Sequence, residues 1–334
     1  MNLYDAEQVT GWLQRRAIVG EDETVEVVPL SGGISSDVVL AISGEHRWVI
    51  KQVLPKLKVA ADWQADVRRG QIERQALRVV ADMIPGSVPC VEYYDNEGGV
   101  LVMNFVNGVM WKSELLAGRI DKSISKALGQ FLGKVHHDTH NHLGPLSVFE
   151  DKSLFYQLRI APYFEVLYAQ YPVPQQRAIR EIVDTLMQQG TVLVHGDFSP
   201  KNIIVSGVHL NPIVLDWEVA HLGHPAFDLA FMMHHLWLKA IYSKRPRVYG
   251  ELVQAFYGAY GDFSAVSSIL TIEVIRTTGA LMLARVDGKS PVDYLDASAR
   301  EIARRIGSRL VLGEVSTVVQ VADIVREELG SSAD

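Results

Sequence analysis

Short apolar runs rich in β-branched residues dominate the first hundred positions, a pattern typical of β-strands. Three such runs, at 24–30, 37–42 and 47–54, are separated by glycine-containing turns. Two more flank the turn NEGG and predict a hairpin. A helical period over 65–84 predicts one inserted helix. A small antiparallel sheet with one main helix is therefore expected over about 20–106.

The apolar period becomes that of helices beyond this region. Helices are predicted at 5–17 ahead of the sheet, then at 121–140, 154–171, 175–190, 226–242, 246–260, 266–286, 293–312 and 315–329. Strand-like runs return only around 192–216. Turn residues in NFVNG mark a boundary near 104–108. We therefore expect an N-terminal lobe, 1–106, and a mostly helical C-terminal lobe, 107–334.

Composition narrows the class of protein. The chain of 334 residues is 48% apolar and 21% charged, which is typical of a globular enzyme with two lobes. A net charge of −7 argues against nucleic acid or an anionic membrane as partner. Cys90 is the only cysteine, so an intrachain disulfide is excluded. No signal peptide or membrane-length apolar run is found, so a cytoplasmic location is expected, with the oligomeric state open.

The stretch VLVHGDFSPKNIIV places a polar block between two apolar runs, with His195, Asp197 and Asn202 in the spacing H-x-D-x-x-x-x-N. Asp216 ends the next apolar run, in IVLDWE, and Asp228 follows in HPAFDLAF. A carboxylate beside a hydroxyl can orient it and take its proton, and amide and carboxylate oxygens are ligands for Mg²⁺. These residue types suit phosphoryl transfer, where positioning and charge neutralisation dominate.

The predicted sheet carries residues of the same chemistry. Lys51 lies in the strand WVIKQ and Glu73 in the helix that follows, and a turn with Ser31, Gly32, Gly33 and Ser35 precedes them. A lysine can pair with phosphate while a glutamate holds it, and glycines let backbone N–H groups approach phosphates. Each feature alone has an ordinary structural explanation, as a surface lysine or a hairpin turn. Their joint occurrence, in one order, favours nucleotide binding.

The segments HGDFSPKN and LDWEVAHLGHPAFDLAF resemble the aminoglycoside phosphotransferase and choline kinase branch of the protein-kinase-like fold, and the likeness spans nearly the whole chain. The resemblance implies a bilobal α+β fold that uses ATP or GTP with Mg²⁺. It implies that Asp197 is the catalytic base, that Asn202 and Asp216 bind Mg²⁺, and that Lys51 contacts the α- and β-phosphates.

The same resemblance implies supporting roles. Asp228 braces the catalytic loop through backbone N–H groups, with His195 as a further support. Glu218, in DWE, is a possible extra metal ligand, because several small-molecule kinases have D-x-E at this place.

The sequence leaves several candidates for the phosphoryl acceptor. The segments VIKQVLPKLKVAADW and RRGQIERQALR are similar to 5-methylthioribose kinases, so a methylthioribose-like sugar stands beside aminoglycosides and amino alcohols as a candidate. A protein kinase is the alternative enzyme. Ser199, where protein kinases hold lysine, and the eleven residues between Asp216 and Asp228 argue against it. A catalytically inactive nucleotide-binding module is disfavoured by the intact set of site residues.

Two further groups of residues invite a function. The segment 273–295 is expected to form a wall of the acceptor site with Arg276, Arg285 and Asp287, and we expect Arg285 and Asp287 to hydrogen-bond acceptor hydroxyls. The alternative is a set of structural salt bridges. The run VHHDTHNH places four histidines within 136–142, where a metal site is an alternative to a solvated helix end.

Overall fold

The computed structural model describes residues 1–30, 35–54, 66–141, 146–206, 211–263 and 267–330. The helices are α1 (Ala6–Gln14), α2 (Arg69–Met83), α3 (Trp111–Leu116), α4 (Lys122–Asn141), α5 (Ser153–Phe155), α6 (Val173–Met187), α7 (Ala226–Ser243), α8 (Pro246–Tyr260), α9 (Ser268–Asp287), α10 (Ala297–Val311) and α11 (Val318–Leu329). The strands are β1 (Glu26–Pro29), β2 (Ser36–Ser43), β3 (His46–Val53), β4 (Val91–Asp95), β5 (Val100–Asn104), β6 (Val109–Met110), β7 (Val192–Val194), β8 (Ile203–Val205), β9 (Ile213–Val214) and β10 (His221–Gly223).

The first of two compact units comprises Met1–Asn107 and Ile213–Glu218. Its centre is an antiparallel sheet with the strand order β1-β2-β3-β5-β4, which confirms the predicted strands and hairpin. Helix α2 is the predicted inserted helix. Strand β3 has a neighbour on each side, with Val38 and Leu101 as register partners of Lys51. Lys51 is therefore held on an interior strand, which fixes its position.

Helix α1 covers part of this sheet. Asp5 caps it, because its side chain accepts hydrogen bonds from the backbone N–H groups of Glu7 and Gln8. Val9, Trp12 and Leu13 recur at helical spacing and are buried in the same core cluster as apolar residues of β2, β3 and β5. The apolar face of the helix thus completes the core of the first unit.

The second unit comprises Gly108–Pro212 and Val219–Asp334 and is mostly helical. Helix α7 is buried along nearly its whole length and packs against α8 and α9. Antiparallel pairs of short strands, β7 with β10 and β6 with β8, flank residues 195–202 in the chain. Because both neighbours of this loop are paired, the loop is anchored at each end.

Residues 154–171, predicted as one regular helix, have a different form. A single turn, α5, leads into a π-helix over Tyr156–Phe164 and a 3₁₀ turn over Glu165–Leu167. Pro162 lies inside the π-helix and has no N–H to donate, so the regular hydrogen-bond ladder cannot continue there. The prediction of a continuous α-helix is wrong at this point, and Arg159 lies within the π-helix.

Close helix packing yields a test of this fold. A Cβ added at Gly129 of α4 would lie 2.1 Å from the carbonyl oxygen of Phe256 on α8. Gly129→Ala is therefore expected to lower the free energy of unfolding by about 1–3 kcal/mol. Gly258→Ala, on α8, is the matched control, since nothing lies within 4 Å of its added Cβ. The control should be neutral or stabilise by up to about 1 kcal/mol. Thermal unfolding of both variants measures the difference.

Ile213–Glu218 belongs to the first unit, although the sequence pattern places it in the C-terminal lobe. The backbone N–H of Val214 donates to the carbonyl of Ser87 at 2.8 Å, and Trp217 is fully buried.

Over the described ranges, every helix is too short or too polar to cross a membrane.

Candidate active site

The first unit brings one lysine and three carboxylates together. Lys51 Nζ lies 2.8 Å from Glu73 Oε2 and 2.6 Å from Asp216 Oδ1. Glu218 Oε2 is 3.7 Å from the same nitrogen. The lysine comes from β3, Glu73 comes from α2, and the two acids follow β9. Three separate elements therefore converge on one charged cluster.

Arg69 is a second cation of this cluster, and the sequence analysis gave it no role. Its side chain is fully buried, and Nε donates to Glu218 Oε2 at 3.2 Å. The other end of the guanidinium donates to the backbone carbonyls of Ser35 and Leu54. The R-x-x-x-E spacing from Arg69 to Glu73 was the available signal, because it places both residues on one face of α2.

Burial and charge oppose each other in this cluster. Burial lowers the pKa of Lys51, but Asp216, Glu73 and Glu218 outweigh it and hold that pKa well above its usual value. Burial raises the pKa of Glu73, and Lys51 opposes this shift without cancelling it. Three carboxylates face two cations, so one negative charge is left uncompensated when all are ionised.

The donor set fits a divalent cation. Glu73, Asp216 and Glu218 each offer a carboxylate oxygen, and these atoms lie within 4.8 Å of one another. Hard oxygen ligands are those that Mg²⁺ prefers. Asp216 has a φ of 67°, which is uncommon for a residue with a side chain and is found at functional sites. In this backbone conformation the Asp216 carboxylate contacts Lys51.

The second unit contains the loop that joins β7 to β8. Asp228, fully buried at the start of α7, accepts hydrogen bonds from the backbone N–H groups of His195 at 2.6 Å and Gly196 at 2.9 Å. Burial raises the pKa of Asp228, but His136 and His195, including the His195 N–H, outweigh it and lower that pKa. Gly196 has a φ of 80°, and a Cβ there would lie 2.7 Å from the carbonyl oxygen of Val219, so this position requires glycine.

Asp197 lies between two cations in this unit. Arg159 NH2 is 3.0 Å from Asp197 Oδ2, and Lys201 Nζ is 2.8 Å from the same oxygen. Arg159 also donates from Nε to the carbonyl of Gly196 at 2.6 Å. Sequence reasoning missed Arg159 because it lies in the irregular π-helix, and Pro162 in an apolar helical run was the available signal. The carboxylate is thus held by side chains from two elements.

The remaining loop residues are oriented by hydrogen bonds. The side-chain NH₂ of Asn202 donates to the carbonyl of Asp197 at 3.0 Å, so the opposite end of the amide presents its oxygen. The Asp197 N–H donates to His195 Nδ1 at 3.1 Å.

Of the predicted phosphate turn, Ser31, Gly32 and Gly33 lie outside the described residues, and Ser35 contacts Arg69 through its carbonyl.

The three residues expected at the acceptor do not share one place. Arg285 lines a cavity in the second unit and donates to Ser290. Asp287 instead receives hydrogen bonds from two nitrogens of Arg304, each at 2.8 Å. Arg276 pairs with Glu181 at 2.8 Å. These contacts give Asp287 and Arg276 structural salt bridges, the alternative raised above, and leave Arg285 as the acceptor candidate.

The histidine run has a structural explanation where it is described. His136 is buried and contacts Asp228 at 3.5 Å and the hydroxyl of Tyr260 at 3.1 Å. His142 lies outside the described residues. Within the part of the chain that the structure describes, the only group of three or more potential metal ligands is the carboxylate cluster beside Lys51.

Comparison with known proteins identifies the family to which the chain belongs. The model of the phosphotransferase enzyme family (APH) matches residues 26–265. The chain belongs to this family. Membership in the APH phosphotransferases confirms the predicted class of enzyme, a small-molecule phosphotransferase, and the predicted kinase-like α+β fold.

Individual APH-like relatives are distant. Methylthioribose kinase of Geobacillus thermodenitrificans is 24% identical over 322 residues, covering 79% of this chain and 80% of that protein. A microcompartment-associated aminopropanol kinase shares the fold with a TM-score of 0.58 at 13% identity, over 92% of this chain and 96% of that one. A spectinomycin phosphotransferase solved with ADP and spectinomycin has a TM-score of 0.53 at 14% identity, over 97% and 99%. These structural likenesses establish a shared fold.

Proposed function

We propose that this phosphotransferase moves the γ-phosphoryl group of ATP or GTP to a hydroxyl group of a small molecule, with Mg²⁺. The observation that carries the proposal is Asp197, a buried carboxylate in a loop that Asp228 and Arg159 hold in place. The nucleotide is supported by the family and by the ADP-bound neighbour. The lysine–carboxylate cluster of the first unit supplies the charges that a nucleotide and its metal require.

The reaction needs one proton acceptor. Asp197 orients the acceptor hydroxyl and takes its proton as the oxygen attacks the γ-phosphorus. A new P–O bond forms to the acceptor, and the bond from the γ-phosphorus to the β,γ-bridging oxygen breaks. The products are the phosphorylated alcohol and a nucleoside diphosphate. Lys201 and Arg159 lie beside this carboxylate, and their positive charges stabilise the negative charge that accumulates near it.

Other residues bind the donor. Lys51 contacts the α- and β-phosphates, and Glu73 holds its ammonium group. Asn202 and Asp216, with Glu218 as an extra ligand, would hold Mg²⁺, which would neutralise charge on the phosphates. Asn202 suits this role because its amide presents an oxygen.

A coupled assay tests the proposal. Purified protein with ATP or GTP and Mg²⁺ is incubated with aminoglycosides, methylthioribose, choline, homoserine, amino alcohols, sugars and hydroxy acids, and acceptor-dependent ADP or GDP release is measured. The proposal expects release with at least one small acceptor and a phosphorylated product by mass spectrometry. Labelling of a peptide library instead, with no small acceptor turned over, would favour a protein kinase.

A further inference from the structure

A cavity of about 210 Å³ in the second unit has several cationic side chains in its lining. Four basic side chains reach it, those of Lys112, Lys201, Lys239 and Arg285. The single acidic residue in its lining is Asp293. The chain as a whole carries a net charge of −7, so this concentration of positive charge is local. A cavity of this kind is a candidate site for a negatively charged ligand.

Lys239 is the most informative of these residues. It lies on α7 with 1% of its surface exposed. Its ammonium group donates to the carbonyl of His235 at 3.4 Å and lies 5.4 Å from the ring centre of Tyr294. Among the described residues, neither Lys239 nor Lys112 nor Arg285 forms an ion pair with a carboxylate. A buried cation thus faces the cavity with weak partners.

Such an arrangement is unfavourable for folding. Burial lowers the pKa of Lys239 to about 7, and repulsion from Lys112 and Arg285 adds to the shift. A buried ammonium group without an acidic partner costs free energy that an apolar side chain of similar length would not. Two further polar atoms nearby, Tyr294 Oη and Arg285 Nε, are buried without a hydrogen-bond partner in the described structure. The cavity therefore holds several donors that a ligand could satisfy.

The cavity also reaches the catalytic loop. Pro200 and Lys201 of the loop line it, and Lys201 Nζ is 2.8 Å from Asp197 Oδ2. A small molecule held by its charged end at Lys239 and Arg285 would extend past Lys201 toward Asp197. The cavity and the Asp197 carboxylate therefore adjoin each other within one unit.

We infer that the cavity binds an anionic group of the acceptor, a carboxylate or a phosphate, so that the acceptor is a small hydroxylated acid or a phosphorylated alcohol. The inference rests on the proposed function for the role of the bound molecule as phosphoryl acceptor. It separates this chain from an enzyme for aminoglycosides or amino alcohols, because those acceptors are cations and would meet four basic side chains. The volume, below the roughly 300 Å³ of sites for drug-sized ligands, also favours a small acceptor.

Equilibrium binding without nucleotide tests the inference separately from catalysis. Isothermal titration calorimetry at pH 6.5 compares four three-carbon alcohols that differ in charge: glycerol 3-phosphate, glycerate, glycerol and 1-amino-2-propanol. We expect binding of at least one of the two anions and none of glycerol or the amine. Whether glycerol 3-phosphate or glycerate binds distinguishes a phosphate from a carboxylate.

Variants locate the site. Lys239→Met should weaken binding of the anion about 10–100-fold, because a hydrogen bond to a charged group is lost. It should also raise the Tm by a few degrees, since the unpaired buried charge is gone. Lys112→Met, at a half-buried position, should weaken binding while leaving the Tm nearly unchanged. Lys126→Met removes a charge from an exposed lysine of α4 and is the control that should bind as the wild type does.

The outcomes separate the two proposals. Anion binding that depends on Lys239, without phosphoryl transfer to any acceptor, would retain the anion site and contradict the proposed function. Transfer to a neutral or cationic acceptor, with no anion bound, would retain the proposed function and contradict the anion site. A fall in Tm for Lys239→Met with unchanged anion affinity would assign Lys239 a structural role.

The pH dependence of binding gives a further prediction. The charged and titratable groups around Lys239 include Lys112, Lys201, His234, His235, Arg285, Asp293 and Tyr294. Burial lowers the pKa of His235 well below 6.5, so this histidine stays neutral above about pH 6. Lys239, with a pKa of about 7, is charged below that pH and neutral above it in the free protein.

Where glycerate is the anion that binds, its affinity should therefore fall as the pH rises from about 6 to 9, since binding above pH 7 requires Lys239 to take up a proton. The carboxylate of glycerate is ionised throughout this range. Calorimetry in two buffers of different ionisation enthalpy should detect proton uptake at pH 8 and little at pH 6, and Lys239→Met should abolish the difference. An affinity that is flat with pH in the wild type would contradict protonation of Lys239 on binding.

Discussion

Asp197→Asn is expected to lower the turnover of the true acceptor by roughly 10²–10⁴-fold while leaving nucleotide affinity nearly unchanged. The amide cannot take the proton of the acceptor hydroxyl, and Asp197 belongs to the loop rather than to the lysine–carboxylate cluster. The amide oxygen can still accept from Arg159, so the fold should be retained. Steady-state rates and calorimetry with ADP measure the two quantities.

The control for this variant is Asp262→Asn, which makes the same chemical change at an exposed position of the second unit. It should turn over the acceptor as the wild type does. Near wild-type turnover by Asp197→Asn, with a normal Tm, would contradict its assignment as the base. Reduced turnover accompanied by a large fall in Tm would point instead to loss of the ion pairs with Arg159 and Lys201.

Asp216→Asn is expected to remove most of the Mg²⁺-dependent part of nucleotide affinity and to lower turnover by about 10²–10⁴-fold, because metal-ion stabilisation is worth several kcal/mol. Asparagine is the suitable replacement because it tolerates the left-handed backbone that Asp216 adopts, whereas alanine would be strained there. Lys51 keeps Glu73 as a partner at 2.8 Å, so the variant leaves no isolated buried lysine.

Calorimetry with ADP, in Mg²⁺ and in EDTA, measures the metal-dependent part directly. Glu218→Gln is the matched comparison, because Glu218 offers the alternative carboxylate of the same cluster. Asp216→Asn could retain the wild-type difference in ADP affinity between Mg²⁺ and EDTA while Glu218→Gln loses it. That result would assign the main ligand role to Glu218. Loss in neither variant would place the metal elsewhere.

The sequence predicted well wherever a local pattern carries the information. The strands around Lys51 and the helix of Glu73 follow from periods of two and 3.6 residues, and both elements are present as predicted. The spacing from His195 to Asn202 identifies a loop without any knowledge of its surroundings. Such features depend on neighbours in the chain.

Features that depend on distant packing were missed. Arg69 and Arg159 carry no motif of their own, and their roles appear only when Glu218 and Asp197 are brought to them across 149 and 38 positions of chain. Lys239 lies in an apolar helix, where its spacing gives no sign of the three other cations around it. Conversely, nothing in the sequence indicates that Arg304, from α10, would contact Asp287, one of the residues expected at the acceptor.

The inclusion of Ile213–Glu218 in the first unit has a consequence for biosynthesis. On the ribosome, the sheet and α2 emerge early, yet Lys51 and Arg69 lack Asp216 and Glu218 until the chain has been extended through residues 108–212. N-terminal regions ordinarily fold first during synthesis. Here the N-terminal unit cannot finish before residues 108–212 of the C-terminal one have been translated. A fragment ending at residue 107 would bury two cations with Glu73 as their only acid from this cluster, and a nascent chain stalled there is expected to remain sensitive to protease.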